Sequence, residues 1–250
     1  MAQSLFQGQV ALVTGGSRGI GQAVALELAA HGASVALTYR NRADKAAEVV
    51  KAITDMGRRA IAVELDVTSE TDVKRAVKAT ASELGDVDLL VANAGITRDG
   101  LLGSMSVEDW DCVQNTNLRG VFLCIREVMP AMMRRRSGAI VAISSVAATL
   151  AGRGHANYAA SKAGLEALVK SLAIELAPRS LRINAVSPGI ILTDMSSRIR
   201  AFEEENLQKM IPLKRFGLSE EVARAVRFLG SSDASYITGA VLSVAGGLGL

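Results

Sequence analysis

The sequence predicts an α/β fold: one doubly wound parallel sheet of seven strands with helices on both faces, in a single domain spanning residues 1–250. Short apolar or β-branched runs alternate with longer helical patterns along the whole chain. A glycine-rich turn directly follows the first of these runs. The chain has only four prolines and no low-complexity linker, so no domain boundary is indicated.

The predicted strands follow one another along the chain. They are Val10 to Thr14, Ser34 to Tyr39, Ala60 to Leu65, Leu89 to Asn93, Ile140 to Ser144, Ile183 to Val186 and Val241 to Val244. The runs LLVAN and AIVAI are apolar on both sides, as strands covered on both faces require. The first two helices are predicted at Gln22 to His31 and within Ala43 to Met56. Helical crossovers of this kind join parallel strands, which predicts a parallel sheet.

Composition argues against several classes of protein. The 28 Lys and Arg residues barely exceed the 25 Asp and Glu residues and form no long basic block, so no nucleic-acid partner is expected. No apolar run reaches the ~18 residues of a membrane span, and the start of the chain lacks signal-peptide features. Cys112 and Cys124 belong to no CxxC or Cys/His cluster, which predicts reduced thiols and no metal site. We therefore expect a cytoplasmic protein without a membrane partner.

One stretch departs from the alternating pattern. Thr193 to Lys214 is polar and charged and follows the sixth predicted strand. Ligands of doubly wound folds bind in a crevice at the carboxyl ends of the strands, and loops there often carry function. We therefore predict a mobile substrate lid at about residues 193–214.

The glycine-rich turn reads TGGSRGIG from Thr14 to Gly21. Gly15 permits a tight turn, Gly19 lets the backbone approach a pyrophosphate, and the first helix offers its free N–H groups to that anion. Gly21 permits close packing of the helix. A purely structural connector is the alternative, because the spacing differs from the commoner G-x-G-x-x-G. The position at the first strand-to-helix junction favours a dinucleotide cofactor.

The end of the second strand indicates which dinucleotide binds. An acidic residue there binds the ribose 2′-hydroxyl of NAD, whereas a basic residue accommodates the 2′-phosphate of NADP. This segment reads Thr38-Tyr39-Arg40-Asn41-Arg42 and contains no carboxylate. Arg40 and Arg18 could pair with the phosphate through charge-assisted hydrogen bonds, although a solvated loop arginine is the alternative. The segment favours NADP(H).

Tyr158 and Lys162 are four residues apart in a helical pattern, so their side chains share one face. An ammonium beside a phenol favours the phenolate, which predicts a lowered pKa for Tyr158 and a general acid usable near neutral pH. By itself, a YxxxK spacing favours a pair on the helix surface, because it occurs by chance in many helices. Ser145 ends the fifth predicted strand, at the edge where α/β sheets bind ligands, and this context favours an active site.

Together these motifs resemble the short-chain dehydrogenase/reductase family over essentially the whole chain. The resemblance rests on TGGSRGIG, Asn93-Ala94-Gly95, Asn117, Ser145, Tyr158-x-x-x-Lys162 and Pro188-Gly189-x-x-x-Thr193. Within the family, the segments Gly95 to Asp99 and Ala156 to Ala160 are most similar to the bacterial 3-oxoacyl-(acyl-carrier-protein) reductases. One departure is Ala245, where the family usually has Asn or Asp before two glycines.

The resemblance implies a Rossmann-like fold and hydride transfer from a nicotinamide to a ketone carbon. Tyr158 would protonate the oxygen, Ser145 would hydrogen-bond it, Lys162 would hold the ribose, and Asn117 would anchor a water. These four would be the catalytic residues. The implied cofactor-binding residues are Gly15, Ser17, Arg18, Gly19, Ile20, Gly21, Arg40, Asp66, Val67, Asn93, Ala94, Gly95, Tyr158, Lys162, Pro188, Gly189, Ile191 and Thr193.

The resemblance also implies a substrate and partners. The substrate would be a 3-oxoacyl thioester bound to acyl carrier protein, and the assembly a homotetramer. Arg136 and Arg179 would dock the acidic carrier, although Arg134 to Arg136 also suit a solvated helix end. Two other functions remain open: a reductase of another ketone, such as acetoacetyl-CoA, a polyketide, a sugar or a steroid, and a nucleotide-sensing protein without turnover.

Overall fold

A parallel sheet of seven strands, in the order β3-β2-β1-β4-β5-β6-β7, lies at the centre of the computed structural model, which describes residues 4–150 and 152–249. The strands are β1 Val10–Val13, β2 Ser34–Tyr39, β3 Ala60–Glu64, β4 Leu89–Ala92, β5 Gly138–Ile143, β6 Leu181–Pro188 and β7 Val241–Val244. The predicted α/β fold class is therefore confirmed. All four residues of β1 and of β4 are buried, because helices cover both faces.

The helices are α1 Gly19–Ala30, α2 Ala43–Asp55, α3 Glu70–Glu83, α4 Val107–Gln114, α5 Gly120–Arg135, α6 Ala156–Leu176, α7 Ser197–Met210 and α8 Ser219–Gly230. A π-helical segment, Asn115–Arg119, joins α4 to α5. The first helix begins three residues before the predicted Gln22, because the second half of the glycine-rich turn already has helical geometry.

Side chains of the central strands alternate between two apolar cores. Ala11 and Val13 of β1 pack against α1, α2 and α8, whereas Leu12 faces α3, α5 and α6. This alternation follows from the two-residue period of a strand. The strand order reverses between β1 and β4, and the loops after these two strands therefore diverge around a crevice at the carboxyl edge.

The predicted lid segment contains α7 and packs at this same edge. A third, smaller apolar cluster joins Leu207 and Ile211 to Phe216 and Leu248 near the end of the described chain. Val146, which follows β5, packs against the same cluster. The segment is thus attached both to the carboxyl end of β5 and to the C-terminal residues.

Among the described residues, no helix has the length and apolar character needed to cross a membrane. The same residues include no group of three or more His, Cys, Asp or Glu side chains that could hold a metal ion. Both cysteines are free, and burial raises the pKa of the Cys124 thiol to about 12.

Candidate active site

Four loops bring the predicted site residues to one edge of the sheet. Parallel pairing places Val13 of β1 beside Val91 of β4, and Ala92 beside Ala142 of β5. Ile143 of β5 pairs in turn with Val186 of β6. The glycine-rich turn, Asn93 to Gly95, Ser145 and Pro188 to Thr193 follow these strands, so all of them lie at the carboxyl edge.

The glycine-rich turn has geometry that side chains would block. Gly15 and Gly19 have φ angles of +64° and +55°, in the left-handed region that favours glycine. A Cβ on Gly21 would lie 2.2 Å from the Gly15 carbonyl oxygen and 2.5 Å from Asn93 Nδ2. The turn is therefore folded tightly onto the start of α1, and Gly21 is the position at which the two surfaces touch.

The chain has no side-chain cap at the start of α1. Arg18 occupies the N-cap position in an extended conformation, and the first turn carries no acidic residue. The first N–H groups of α1 are consequently available to an anion, and the helix dipole favours one there. Together with the backbone surface at Gly15 and Gly19, this end of α1 fits a dinucleotide pyrophosphate.

Hydrogen bonds of Asn93 and Thr14 connect the glycine-rich turn to the end of β4. Asn93 Nδ2 donates to the carbonyl oxygens of Thr14 at 2.9 Å and Gly15 at 3.1 Å. Thr14 Oγ1 accepts from the backbone N–H groups of Asn93 at 2.9 Å and Ala94 at 3.0 Å. Thr14 is a residue of the turn with no predicted role, although a hydroxyl at the end of a predicted strand is a signal that could have suggested one.

Gly16 is a second residue of the turn whose role the sequence patterns did not predict. A Cβ there would lie 2.7 Å from Leu37 Cβ of the neighbouring strand β2. The constraint comes from packing against the sheet, which glycine spacing alone does not reveal.

Arg40 and Arg18 each already have an acidic partner. Arg40 Nη2 lies 2.9 Å from Asp66 Oδ2, and Arg18 Nη1 lies 3.3 Å from Asp194 Oδ2. The segment Thr38 to Arg42 contains no carboxylate, but Asp66 reaches Arg40 from beyond the end of the adjacent strand β3. A 2′-phosphate at Arg40 would have to share the guanidinium with the Asp66 carboxylate or displace that carboxylate.

Asp66 is held in its charged form by its neighbours. Burial opposes ionisation of Asp66, but hydrogen bonds from Thr68 and the charge of Arg40 together keep its pKa below the ordinary value. Val67, the next residue, is buried against Gly120, where a Cβ would meet Val67 Cγ2 at 2.8 Å.

Helix α6 places Tyr158 and Lys162 on the same face, as the four-residue spacing predicts. Lys162 Nζ lies 5.7 Å from the centroid of the Tyr158 ring. It donates a 2.7 Å hydrogen bond to the carbonyl oxygen of Ile143 at the end of β5. The ammonium therefore lies over the face of the phenol ring, and its hydrogen bond goes to the backbone.

The predicted lowering of the Tyr158 pKa is wrong. Burial raises the pKa of the phenol, the hydrogen bond with Ser145 opposes this, and the charge of Asp99 adds to it. Burial also lowers the pKa of Lys162 to about 8, so the charge that was expected to favour the phenolate is itself disfavoured. In this structure Tyr158 stays protonated at neutral pH, which suits a proton donor.

Asn117 lies in the π-helical segment and is fully buried. Its Oδ1 accepts from the Ile96 N–H at 2.9 Å, and its Nδ2 donates to the Ile96 carbonyl oxygen at 3.0 Å. Nδ2 also donates to Ser161 Oγ at 3.1 Å. The side chain thus fixes the loop after β4 against α6. Short π-helical segments within a helix, such as the one that carries Asn117, frequently occur at functional sites.

Gly95 lies where these groups converge. A Cβ on Gly95 would lie 3.3 Å from Asn117 Oδ1 and 3.6 Å from Lys162 Nζ. A side chain at this position would crowd the Asn117 amide and lie in contact with the Lys162 ammonium.

The segment after β6 lies over the glycine-rich turn. A Cβ on Gly19 would touch Thr193 Cγ2 at 3.4 Å. Gly189 faces Ala245, whose Cα would be 2.8 Å from a Cβ on the glycine. Ile191 is buried and pairs with Gly217. The beginning of the predicted lid therefore forms the wall opposite the start of α1.

Sequence comparisons match the chain over nearly its full length. The family model described as "Enoyl-(Acyl carrier protein) reductase" matches residues 15–249. The 3-oxoacyl-[acyl-carrier-protein] reductase of Staphylococcus epidermidis is 46% identical over 238 residues, which is 95% of this chain and 98% of that protein. The enzyme of the same name from Escherichia coli is 44% identical over 97% of this chain and 98% of its own length.

Solved structures match the whole fold. A short-chain type dehydrogenase/reductase from Mycobacterium marinum superposes with a TM-score of 0.94 at 34% identity, covering 98% of this chain and 97% of that chain. A blue fluorescent protein from a metagenomic library, in complex with NADPH, superposes with a TM-score of 0.92 at 38% identity, covering 98% of this chain and all 100% of that chain.

Proposed function

This chain belongs to the short-chain dehydrogenase/reductase family and is an oxidoreductase, and on that premise we propose that it reduces 3-oxoacyl thioesters on acyl carrier protein to 3-hydroxyacyl thioesters with NADPH. The observation that carries the chemistry is that Ser145 and Tyr158 come together at the carboxyl edge of the sheet, closely enough for the Ser145 hydroxyl to lower the pKa of the phenol, beside a turn that fits a dinucleotide. The substrate class rests on relatives 44–46% identical whose names specify it.

The two hydroxyls would act on the same oxygen atom. Bound NADPH would supply the hydride that reaches the ketone carbon. Tyr158 would donate its proton to the ketone oxygen, and Ser145 would hydrogen-bond that oxygen as negative charge develops on it. The raised pKa of Tyr158 supports this direction of transfer, because the phenol carries its proton at neutral pH.

Lys162 and Asn117 would hold this arrangement in place. The buried ammonium of Lys162 would bind the nicotinamide ribose and stabilise the phenolate left after proton transfer. Asn117 would keep the loop after β4 against α6, through its bonds to Ile96 and Ser161. The water-anchoring role that the family implies for Asn117 stays a prediction.

The cofactor would lie along the loops at the carboxyl edge. Its pyrophosphate would bind the start of α1, and its adenosine end would reach Arg40 and Asp66 beyond β2 and β3. The nicotinamide would lie against the segment after β6. The proposed binding residues are those of the glycine-rich turn, the 93–95 loop and positions 188, 189, 191 and 193.

Absorbance of NADPH measured with a panel of ketones tests the substrate class. We expect a higher kcat/KM for 3-oxoacyl thioesters on acyl carrier protein than for the coenzyme A thioesters, with little turnover of sugars or steroid ketones. Preferred turnover of one of these other ketones would reassign the substrate, and binding of NADPH without turnover of any ketone would support a sensor instead.

Replacing Arg40 by Ala should raise the KM for NADPH about 10- to 100-fold, because one charge-assisted contact to the 2′-phosphate is worth about 1.5–3 kcal/mol. The KM for NADH, which lacks that phosphate, should change little. Arg42→Ala is the matched control, since Arg42 pairs with Asp44 at 2.8 Å. A wild-type enzyme that turns over NADH faster than NADPH would contradict this assignment.

Arg136 and Arg179 form a basic surface outside the crevice. Both are exposed, and Arg136 Nη2 donates to the carbonyl oxygen of Pro178, the residue before Arg179, at 2.8 Å. Arg135, by contrast, is engaged with Asp86 at 2.8 Å. We propose that the first two dock the acidic carrier protein.

Charge reversal of Arg136 and Arg179 should raise KM for the carrier-bound substrate several-fold, because rim charges steer association. A small thioester that lacks the carrier should be unaffected. Lys51→Glu on α2, a side chain 76% exposed near the opposite end of the sheet, is the matched control. Equal effects on both substrates would argue against docking.

We further propose that the enzyme is a cytoplasmic homotetramer. Large apolar side chains remain exposed on α5, α6 and α8 and on the outer strand β7; they include Phe122, Ile174, Phe228 and Leu242. Burial of such surfaces between copies of the chain would remove apolar area from water.

A further inference from the structure

Helix α6 carries an acidic residue on the face that it buries against the sheet. The buried residues of this face include Lys162, Leu165, Glu166 and Val169. Leu165 and Val169 are fully buried in the apolar core, and Glu166 is only 8% exposed. Burying a carboxyl group costs free energy unless hydrogen bonds satisfy it, so an apolar side chain would suit this face better. An acid in such a position therefore needs a specific partner.

Ser144 is this partner. Its Oγ donates a 2.7 Å hydrogen bond to Glu166 Oε1, and both side chains are buried. Ser144 directly follows β5, and its N–H donates to the carbonyl oxygen of Val186 in β6 at 2.7 Å. The backbone of Ser144 is therefore held by the sheet and its hydroxyl by the helix.

Two successive turns of α6 hold two successive residues at the end of β5. Lys162 Nζ donates to the Ile143 carbonyl oxygen at 2.7 Å, and Glu166, four residues after Lys162, accepts from Ser144. Two such bonds, one helical turn apart on α6, resist sliding of the helix along the strand. Together they set where α6 lies relative to the end of β5.

Ser145, which would hydrogen-bond the substrate oxygen, is the next residue along the chain. Its backbone is extended, and its Oγ accepts from the Ala147 N–H at 3.2 Å at the start of a short 3-10 helix, Val146–Ala148. Tyr158 lies on α6, two turns before Glu166. Because Ser145 is attached to Ser144, a shift of Ser144 relative to α6 would move Ser145 relative to Tyr158.

We propose that Glu166 is a positioning residue that acts through Ser144: by accepting the Ser144 hydroxyl, it holds the end of β5 against α6 and so sets the distance between the side chains of Ser145 and Tyr158. The inference rests on the proposed roles of Ser145 and Tyr158. Both hydroxyls must reach one substrate oxygen, and a reaction that depends on orientation slows steeply when a group is displaced. In this role Glu166 takes no part in the proton transfer itself.

Glu166→Leu should lower kcat for ketone reduction about 10- to 100-fold, because a displacement of about 1 Å between reacting groups can cost about 10²-fold. The new side chain is of similar size but has no atom that can accept from Ser144. The dissociation constant of NADPH should change little. Glu166→Gln retains an acceptor oxygen at the same place and should keep kcat within about twofold of the wild type.

A double-mutant cycle separates positioning from a merely structural role. Ser145→Ala removes the group that Glu166 is proposed to place. Adding Glu166→Leu to Ser145→Ala should therefore cause no further loss of kcat, whereas independent structural damage would multiply the two losses.

Val169→Ala is the matched control, because it removes buried apolar contacts one turn further along the same face of α6. It should lower the urea midpoint of unfolding, as the loss of core packing does, and leave the kcat of the folded enzyme unchanged. A kcat that fell in Val169→Ala as far as in Glu166→Leu would show that general packing of α6 accounts for the effect.

Ser144→Ala breaks the same hydrogen bond from the side of the strand by removing one oxygen atom, and it replaces Glu166→Leu in these measurements if that variant does not fold. Crystal structures then separate this inference from the proposed function, because they need no turnover of any ketone. Ser145 Oγ should lie about 1 Å further from Tyr158 Oη in Ser144→Ala than in the wild type, and at the wild-type distance in Glu166→Gln.

If the enzyme reduces another ketone, kcat is measured with that ketone. Superimposable Ser145 and Tyr158 side chains in the wild type and in Ser144→Ala, or multiplied losses of kcat in the cycle, would overturn the proposal.

Discussion

Replacing Tyr158 by Phe should lower kcat for ketone reduction about 10³-fold, in the middle of the range that general acid catalysis supplies. The change removes the hydroxyl whose pKa Ser145 lowers and leaves the ring beneath Lys162 Nζ. NADPH affinity, measured by the quenching of protein fluorescence, should change little. Steady-state NADPH absorbance gives kcat.

The matched control is Tyr236→Phe, because Tyr236 is fully exposed to solvent and lies outside the crevice. It should retain the kcat of the wild type. If Tyr158→Phe kept its ketone reduction, another group would have to supply the proton, and the proposed mechanism would fail.

Replacing Gly21 by Ala should nearly abolish cofactor binding and lower the free energy of unfolding by about 1–3 kcal/mol, as overpacking does. The new methyl group would lie 2.2 Å from the Gly15 carbonyl oxygen and 2.5 Å from Asn93 Nδ2. The turn must move away from α1, which displaces the N–H groups that would bind the pyrophosphate. Urea unfolding and NADPH titration measure the two effects.

Gly103→Ala is the control for this substitution, because a Cβ at Gly103 meets nothing within 4 Å. It should bind NADPH and unfold like the wild type. Normal NADPH affinity in Gly21→Ala would show that the close contact between the turn and α1 is not needed for the site.

The strands, and the position of the candidate site residues at the carboxyl edge, were predictable because their signals are local. A strand that is buried on both faces consists of consecutive apolar residues, as in Leu89–Ala92. It is therefore recognisable from a few neighbouring positions in the sequence. The motif residues Ser145 and Tyr158 lie next to elements whose order implies their position at the carboxyl edge. Gly21 could likewise be identified from its place in the glycine-rich turn.

The sequence patterns did not reveal interactions that depend on how distant segments pack together. Asp66 pairs with Arg40 because β3 lies beside β2, and the second strand by itself does not reveal this partner. The direction of the Tyr158 pKa depends on how deeply the phenol is buried and on where Lys162 directs its hydrogen bond. The four-residue spacing places Tyr158 and Lys162 on one face of the helix. It determines neither the burial of the phenol nor the direction of the Lys162 hydrogen bond.

The sequence alone determined the alternation of strands and helices, the glycine-rich turn and the spacing of Tyr158 and Lys162, because each depends on backbone preferences and side-chain periodicity within a short segment. Tertiary structure decided which charges pair, which groups lose contact with water, and that Ser144 and Glu166 meet at 2.7 Å next to Ser145. Electrostatic energies depend on distance through space and on the surrounding dielectric, and both are established only when the loops pack together.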